Sequence, residues 1–167
     1  LFYTVCDVQF LAPSCAIYMS EKKDGEWKEG KTLGDEINMK GSTNTHPFLA
    51  KNTMGQEVLY FVSNREGGKG GLDIWYSVMN KKGVFGTPKN AGNKINTDRD
   101  EATPFFDTKT NTLYFSSDGW ISMGGRDIYK SHADNSGRFN STPENLGAPF
   151  NSPCNDYDFR FSSNSEQ

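Results

Sequence analysis

Apolar residues along this chain fall in short runs, each bounded by glycine, asparagine, aspartate or proline. In the central stretch the runs are Pro47 to Ala50, Val58 to Ser63, Asp73 to Val78, and a weaker one at Val84 to Thr87. Their length, their β-branched and aromatic content and their flanking turn residues predict strands. No segment sustains an apolar period of 3.6 residues. The most helix-like stretch, Ser20 to Lys31, is broken by Gly25 and carries one apolar residue, Trp27. The run "VLYFV" is continuous, not alternating, which predicts a strand covered on both faces.

The pattern then recurs. "KGGLDIWYS" (Lys69 to Ser77) returns as "MGGRDIYKS" (Met123 to Ser131), with Ile74 and Ile128 54 residues apart (128 − 74). "LYFVSN" (Leu59 to Asn64) returns as "LYFSSD" (Leu113 to Asp118), and "NAGNKINT" (Asn90 to Thr97) as "NLGAPFNS" (Asn145 to Ser152). A more divergent copy lies upstream in "LFYTVC", "AIYMS", "DGEW" and "LGDEIN". "HPF" (His46 to Phe48) matches "TPF" (Thr103 to Phe105), with "YDF" (Tyr157 to Phe159) as a last echo.

A unit of four short strands that cannot bury both faces alone is expected to stack on its copies. The sequence therefore predicts an all-β fold, a β-propeller of four-stranded antiparallel blades with about three blades' worth present. The expected divisions are an incomplete, divergent blade at 1–45, blades at 46–101 and 102–152, and the inner strand of a further blade at 153–167. Propellers usually need roughly 4–8 blades to close, so a part of a larger propeller is expected. The glycine pairs Gly70-Gly71 and Gly124-Gly125 are expected to turn the hairpin between second and third strands at positive φ. Asp73 and Asp127 are expected to accept backbone N–H bonds of that turn, so Gly71, Gly125 and both aspartates read as structural.

Charge changes the picture by exclusion. Eighteen Lys and Arg against 21 Asp and Glu give a net charge of −3 with both signs interspersed, which supports no nucleic-acid footprint. No apolar run reaches the roughly 20 residues of a membrane-spanning helix, so direct membrane insertion is not expected. Cys6 ends one strand and Cys15 begins the next. Facing strand positions lie about 4.5–5.5 Å apart at Cα, so a Cys6–Cys15 disulfide is predicted, and with it an oxidising compartment such as a periplasm. The alternative is a pair of reduced, partly buried thiols. Cys154 has no evident partner.

The second-to-third-strand hairpins and the links between units are expected to share one loop-rich face, a protein-binding surface carrying Arg65, Lys69, Asp98, Asp100, Trp120, Met123 and Arg126. Trp120 lies outside the strand runs beside Asp118 and Arg126, a combination favoured at interfaces; its other reading is a lid on its own unit. "NTDRDE" (Asn96 to Glu101) alternates oxygen ligands as calcium loops do. No glycine follows Asp100, however, and the twelfth position is Asp107, so side-chain capping of the link is the favoured reading. No metal site, cofactor or catalytic residue is expected. His46 is replaced by Thr103 in the next copy, His132 sits in a polar turn, and no G-x-S-x-G elbow is present.

Taken together, "LYFVSNREGGKGGLDIWYS", "INTDRDEATPFF" and "LYFSSDGWISMGGRDIYKS…NLGAPFNS" resemble the TolB-like, WD-related PD repeats of β-propellers. The resemblance covers nearly the whole chain, most closely Leu59 to Asn151. It is closest to a Bacteroidetes subgroup in which the propeller precedes an OmpA-like peptidoglycan-binding domain, one member belonging to the type IX secretion and gliding machinery. The resemblance implies a non-enzymatic periplasmic scaffold of a cell-envelope or secretion complex. Its partners would be other envelope proteins, and peptidoglycan through a domain outside this sequence. The alternative is a substrate-gating propeller of a larger serine hydrolase or peptidase.

Overall fold

A computed structural model describes residues 1–7, 14–134 and 136–161. The described residues form strands and turns and no helix. The first sheet joins β1 (Phe2–Asp7), β2 (Ser14–Met19) and β5 (Lys31–Thr32), with a short hairpin of β3 (Lys22–Lys23) and β4 (Glu26–Trp27) projecting from it. The second sheet joins β6 (Asn44–Lys51), β7 (Glu57–Ser63), β8 (Asp73–Val78) and β9 (Lys89–Asn90) in that order. The third repeats this with β10 (Glu101–Asp107), β11 (Thr112–Ser117), β12 (Asp127–His132) and β13 (Glu144–Asn145). Every pairing is antiparallel.

The continuous run in β7 explains the packing. Val58, Tyr60 and Val62 enter one apolar core with Leu113, Phe115 and Tyr129 of the third sheet. Leu59 and Phe61, pointing the other way, enter a second core with Ile17 and Ile37 of the first unit. The second sheet is thus covered on both faces, and successive side chains of one strand serve two interfaces.

Several sequence expectations shift in detail. The fourth strand of the second sheet is Lys89–Asn90, not Val84 to Thr87; Phe85 makes only an isolated bridge to Met79. The sheets begin at Asn44 and Glu101, slightly ahead of the expected boundaries at 46 and 102. The described part of the expected strand 153–167 contains no strand, and 162–167 lie outside the described residues. The "YDF" echo is also displaced by one residue. His46, Thr103 and Asp158 share a positive φ of 47–58°, so Asp158, not Tyr157, occupies the place of Thr103. At His46 and Thr103 this left-handed residue sits in a β-bulge that breaks the register of β6 and β10.

The glycine pairs require a correction. Gly70, Gly71, Gly124 and Gly125 do not adopt positive φ. They are needed for close approach: a Cβ on Gly70 would strike the Arg99 carbonyl oxygen, and one on Gly124 the Cys154 carbonyl oxygen. A Cβ on Gly71 or Gly125 would strike the side-chain oxygen of Asp100 or Asn155. In the second and third units the link leaving the unit runs directly against the unit's own hairpin, and only glycine leaves room.

Candidate interaction face

In the second and third units the link is laid against its hairpin by the same set of bonds. Gly71 N donates to Arg99 O (3.1 Å), Leu72 N to Asp100 Oδ1 (2.8 Å), and Glu101 N to Leu72 O (2.7 Å). One unit later, Gly125 N donates to Cys154 O (3.1 Å), Arg126 N to Asn155 Oδ1 (2.8 Å), and Asp156 N to Arg126 O (2.6 Å). Hairpins 64–72 and 118–126 and links 96–100 and 152–156 therefore form one surface.

Its foundation is an asparagine used three times. Asn38, Asn96 and Asn151 each accept from the backbone N–H of Ile17, Ile74 or Ile128 at 2.7–2.8 Å and donate to the carbonyl of the same residue at 2.9 Å. Each asparagine lies four residues after Gly34, Gly92 or Gly147, whose carbonyl accepts its N–H. The recurring glycine–asparagine spacing was visible in the sequence; the clamp itself was not assigned there.

Asp73 accepts from Lys69 N (2.5 Å) and Gly70 N (3.1 Å), and from Asn90 Nδ2 (2.7 Å). Asp127 repeats the first and last of these with Met123 N and Asn145 Nδ2, both at 2.7 Å on Oδ2, while its buried Oδ1 has no partner. Both carboxylates hold turns.

In "NTDRDE" the side-chain oxygens of Asn96, Thr97, Asp100 and Glu101 are held by protein partners, while Asp98 is exposed. Fully buried Glu101 accepts from Thr97 N (3.0 Å), Thr97 Oγ1 (2.7 Å) and Ser117 Oγ (2.8 Å). Burial pushes its carboxyl up to about 7 against the opposing pull of the Thr97 and Ser117 bonds. Asp156 holds Ser152 in the next unit, and Asn44 holds Ser63 in the preceding one. Among the described residues no cluster of three or more His, Cys, Asp or Glu is placed to hold a metal ion.

The seven residues expected on the binding face part company. Arg65 is only 4% exposed, a correction to its expected place on the surface. Its guanidinium donates to Ile37 O (2.5 Å), Asn44 Oδ1 (2.8 Å), Glu36 O (2.9 Å) and Ser63 Oγ (3.1 Å), and lies over the rings of Phe61 and Trp75. A cation with that many fixed acceptors ties the second sheet to the first. Burial pulls it down to about 10, against the raising effect of Glu36, and it stays charged at neutral pH.

Trp120 is half-buried against the core between second and third sheets, and its Nε1 donates to Ile95 O (3.3 Å). It is a staple to the neighbouring unit, neither a free binding aromatic nor a lid on its own. Arg126 is half-buried too. It donates to Asp100 Oδ2 and Asp118 Oδ2, each at 3.2 Å, and lies over the Tyr157 ring. Asp100 thereby links the two hairpins through Leu72 N and Arg126. Lys69, Asp98 and Met123 remain exposed.

The residue missed in the sequence is Ile121. It is 94% exposed, and Met123 beside it is 51% exposed. Yet the Ile121 backbone is fixed: its carbonyl accepts from Tyr129 OH (2.9 Å) and Asn145 Nδ2 (3.4 Å). The corresponding hairpin of the second unit, "NREGGKGGL", has glycine and charge there, so contrast between the copies was the available signal. Cys6 and Cys15 are disulfide-bonded, and Cys154 is a free, exposed thiol. His46 and His132 are exposed on different sheets. No family model, curated protein or solved structure matches this chain.

Proposed function

We propose that the chain forms successive blades of a β-propeller that acts as a non-enzymatic, protein-binding scaffold in an oxidising compartment, the periplasm of a cell envelope. The observation that carries the reading is the 118–126 hairpin. It holds Ile121 and Met123 out into solvent on a backbone pinned by Tyr129, Asn145 and Asp127. An apolar tip that is already ordered loses little conformational entropy when a partner covers it. The stacking of like sheets supports the propeller, and the Cys6–Cys15 bond is compatible with the compartment. The family resemblance supplies the scaffold role and the envelope partners.

The test is chemical cross-linking of the chain in an envelope extract, with wild type compared against the double variant Ile121→Ser, Met123→Ser. Both side chains lie outside the cores, so the melting curve should not move. Capture of partners should fall about tenfold or more, as for loss of a central apolar anchor. Full capture by a normally folded variant would remove the hairpin from the binding surface.

A further inference from the structure

The two junctions between sheets differ in what the hairpin sends into them. In the second junction the Trp120 indole lies against the core and donates to Ile95 O. The hairpins align through Ser63 with Ser117 and Asp73 with Asp127, which puts Glu66 at the place of Trp120. Glu66 is exposed and brings no ring into the first junction. A cavity of about 400 Å³ lies there, between the turn 35–39 of the first unit and the second sheet. Every lining residue falls between 35 and 88, so the cavity belongs to a junction inside the chain and not to a sheet face at either end.

Its apolar lining is Trp75, Met39 and Pro88, and its acidic lining is Asp35, Glu36 and Glu66, all three exposed. Arg65 lines it as well, but that guanidinium is already held by four acceptors. Among the described residues the wall thus carries three carboxylates against one engaged cation. The acidity is particular to this junction. Counted from the clamp asparagines, Asp35 and Glu36 correspond to Asn93 and Lys94, whereas Thr87-Pro88 recurs as Thr142-Pro143. The frame is repeated and the carboxylates are not. A flat cation on an apolar stem answers both the space and the charge. A guanidinium is planar and weakly hydrated, packs on aromatic surface and pairs with carboxylates through two N–H groups. The methylenes behind it can lie along Met39 and Pro88. An ammonium, strongly hydrated, loses more on entering.

We propose that this cavity receives an arginine side chain from a peptide segment of a partner protein, with Asp35, Glu36 and Glu66 meeting the guanidinium. The inference rests neither on closure of a ring nor on the 118–126 hairpin.

NMR titration of the isotope-labelled 167-residue chain with the blocked tripeptide acetyl-Gly-Arg-Gly-amide tests it. The reporter is the indole N–H of Trp75, which donates to Ser63 O (3.3 Å) at the cavity. The indoles of Trp27 and Trp120 lie outside its lining and serve as controls. The Trp75 signal should shift and saturate with a Kd on the order of 1 mM, while the other two stay in place. The double variant Asp35→Asn, Glu66→Gln, changed at exposed positions, should keep the spectrum of a folded chain and bind about tenfold more weakly. The same peptide with uncharged citrulline in place of arginine should produce no shift. A Trp75 signal that stays still far above that concentration overturns the proposal. So does equal binding of the citrulline peptide or of one carrying lysine, and so does undiminished binding by the double variant. The variant Ile121→Ser, Met123→Ser should titrate as wild type. Loss of binding there would place the peptide on the hairpin and overturn the cavity's role, so the two readings fail separately.

Discussion

Between the first and second sheets the donor to the Ile37 carbonyl is a guanidinium, Arg65; between the second and third, the donor to the equivalent Ile95 carbonyl is the Trp120 indole. The two residues are not at matching positions, since Gly119 occupies the place of Arg65. The surroundings differ accordingly. Arg65 has Asn44 and Ser63 as neutral acceptors, whereas the place of Asn44 in the second junction holds Glu101, met by hydroxyl and amide donors and no cation. What the two junctions hold in common is an acceptor, the carbonyl preceding the clamp asparagine. The chemistry that reaches it is free to change, provided its neighbours change too.

The largest test of this contrast is Arg65→Ala. It strips Ile37 O and Glu36 O of their donor, leaves Asn44 Oδ1 with Ser63 Oγ alone, and removes packing from Phe61 and Trp75. Stability by urea denaturation should fall by about 3–5 kcal/mol, the range for breaking a buried charged network. Arg65→Lys should rescue little, because an ammonium cannot span the same fork of acceptors. A loss under about 1 kcal/mol would show that the second core alone holds the junction.

Glu101 gives the next effect. Its folded carboxyl titrates near 7, above the ordinary 4.5. Between those values the folded state holds a proton that the unfolded state has released. Stability from this group is therefore greatest at acid pH and falls as pH rises toward 7, by up to about 3 kcal/mol. Glu101→Gln should flatten that part of the stability–pH profile. An unchanged profile would mean that the Thr97 and Ser117 bonds offset the burial.

Trp120→Ala is the smallest. One hydrogen bond and a half-buried ring are lost, for about 2 kcal/mol, and hydrogen exchange should rise mainly in the third sheet. An effect as large as that of Arg65→Ala would make the indole as central as the guanidinium.

The repeat, the strand-length runs and the turn-holding aspartates were readable from residue order because each obeys a local rule: period, flanking turn residues, a carboxylate near free N–H groups. The facing cysteines were placed by strand pairing alone. Arg65 was misplaced because a charged residue after a strand ordinarily faces water, and only the backbone carbonyls at 36 and 37 reveal why this one does not. The glycine pairs were assigned the right importance for the wrong reason. Positive φ is a property of one residue, but the close pass of Arg99 and Cys154 depends on how a distant link returns. Ile121 was invisible for a related reason: an apolar residue in a hairpin reads as core until the fold shows it facing out.

The asparagine clamp bears on how such a chain can change over generations. From Asn96 to Glu101 the step is five residues, as it is from Asn151 to Asp156, but from Asn38 to the corresponding Asn44 it is six. The extra residue falls after the clamp, so the asparagine's hold on the third strand is the same in all three units. Each unit is thus fastened before its link begins. An added residue just past the asparagine leaves that clamp intact, whereas in the second and third units it would shift the link out of step with the hairpin it is bonded to.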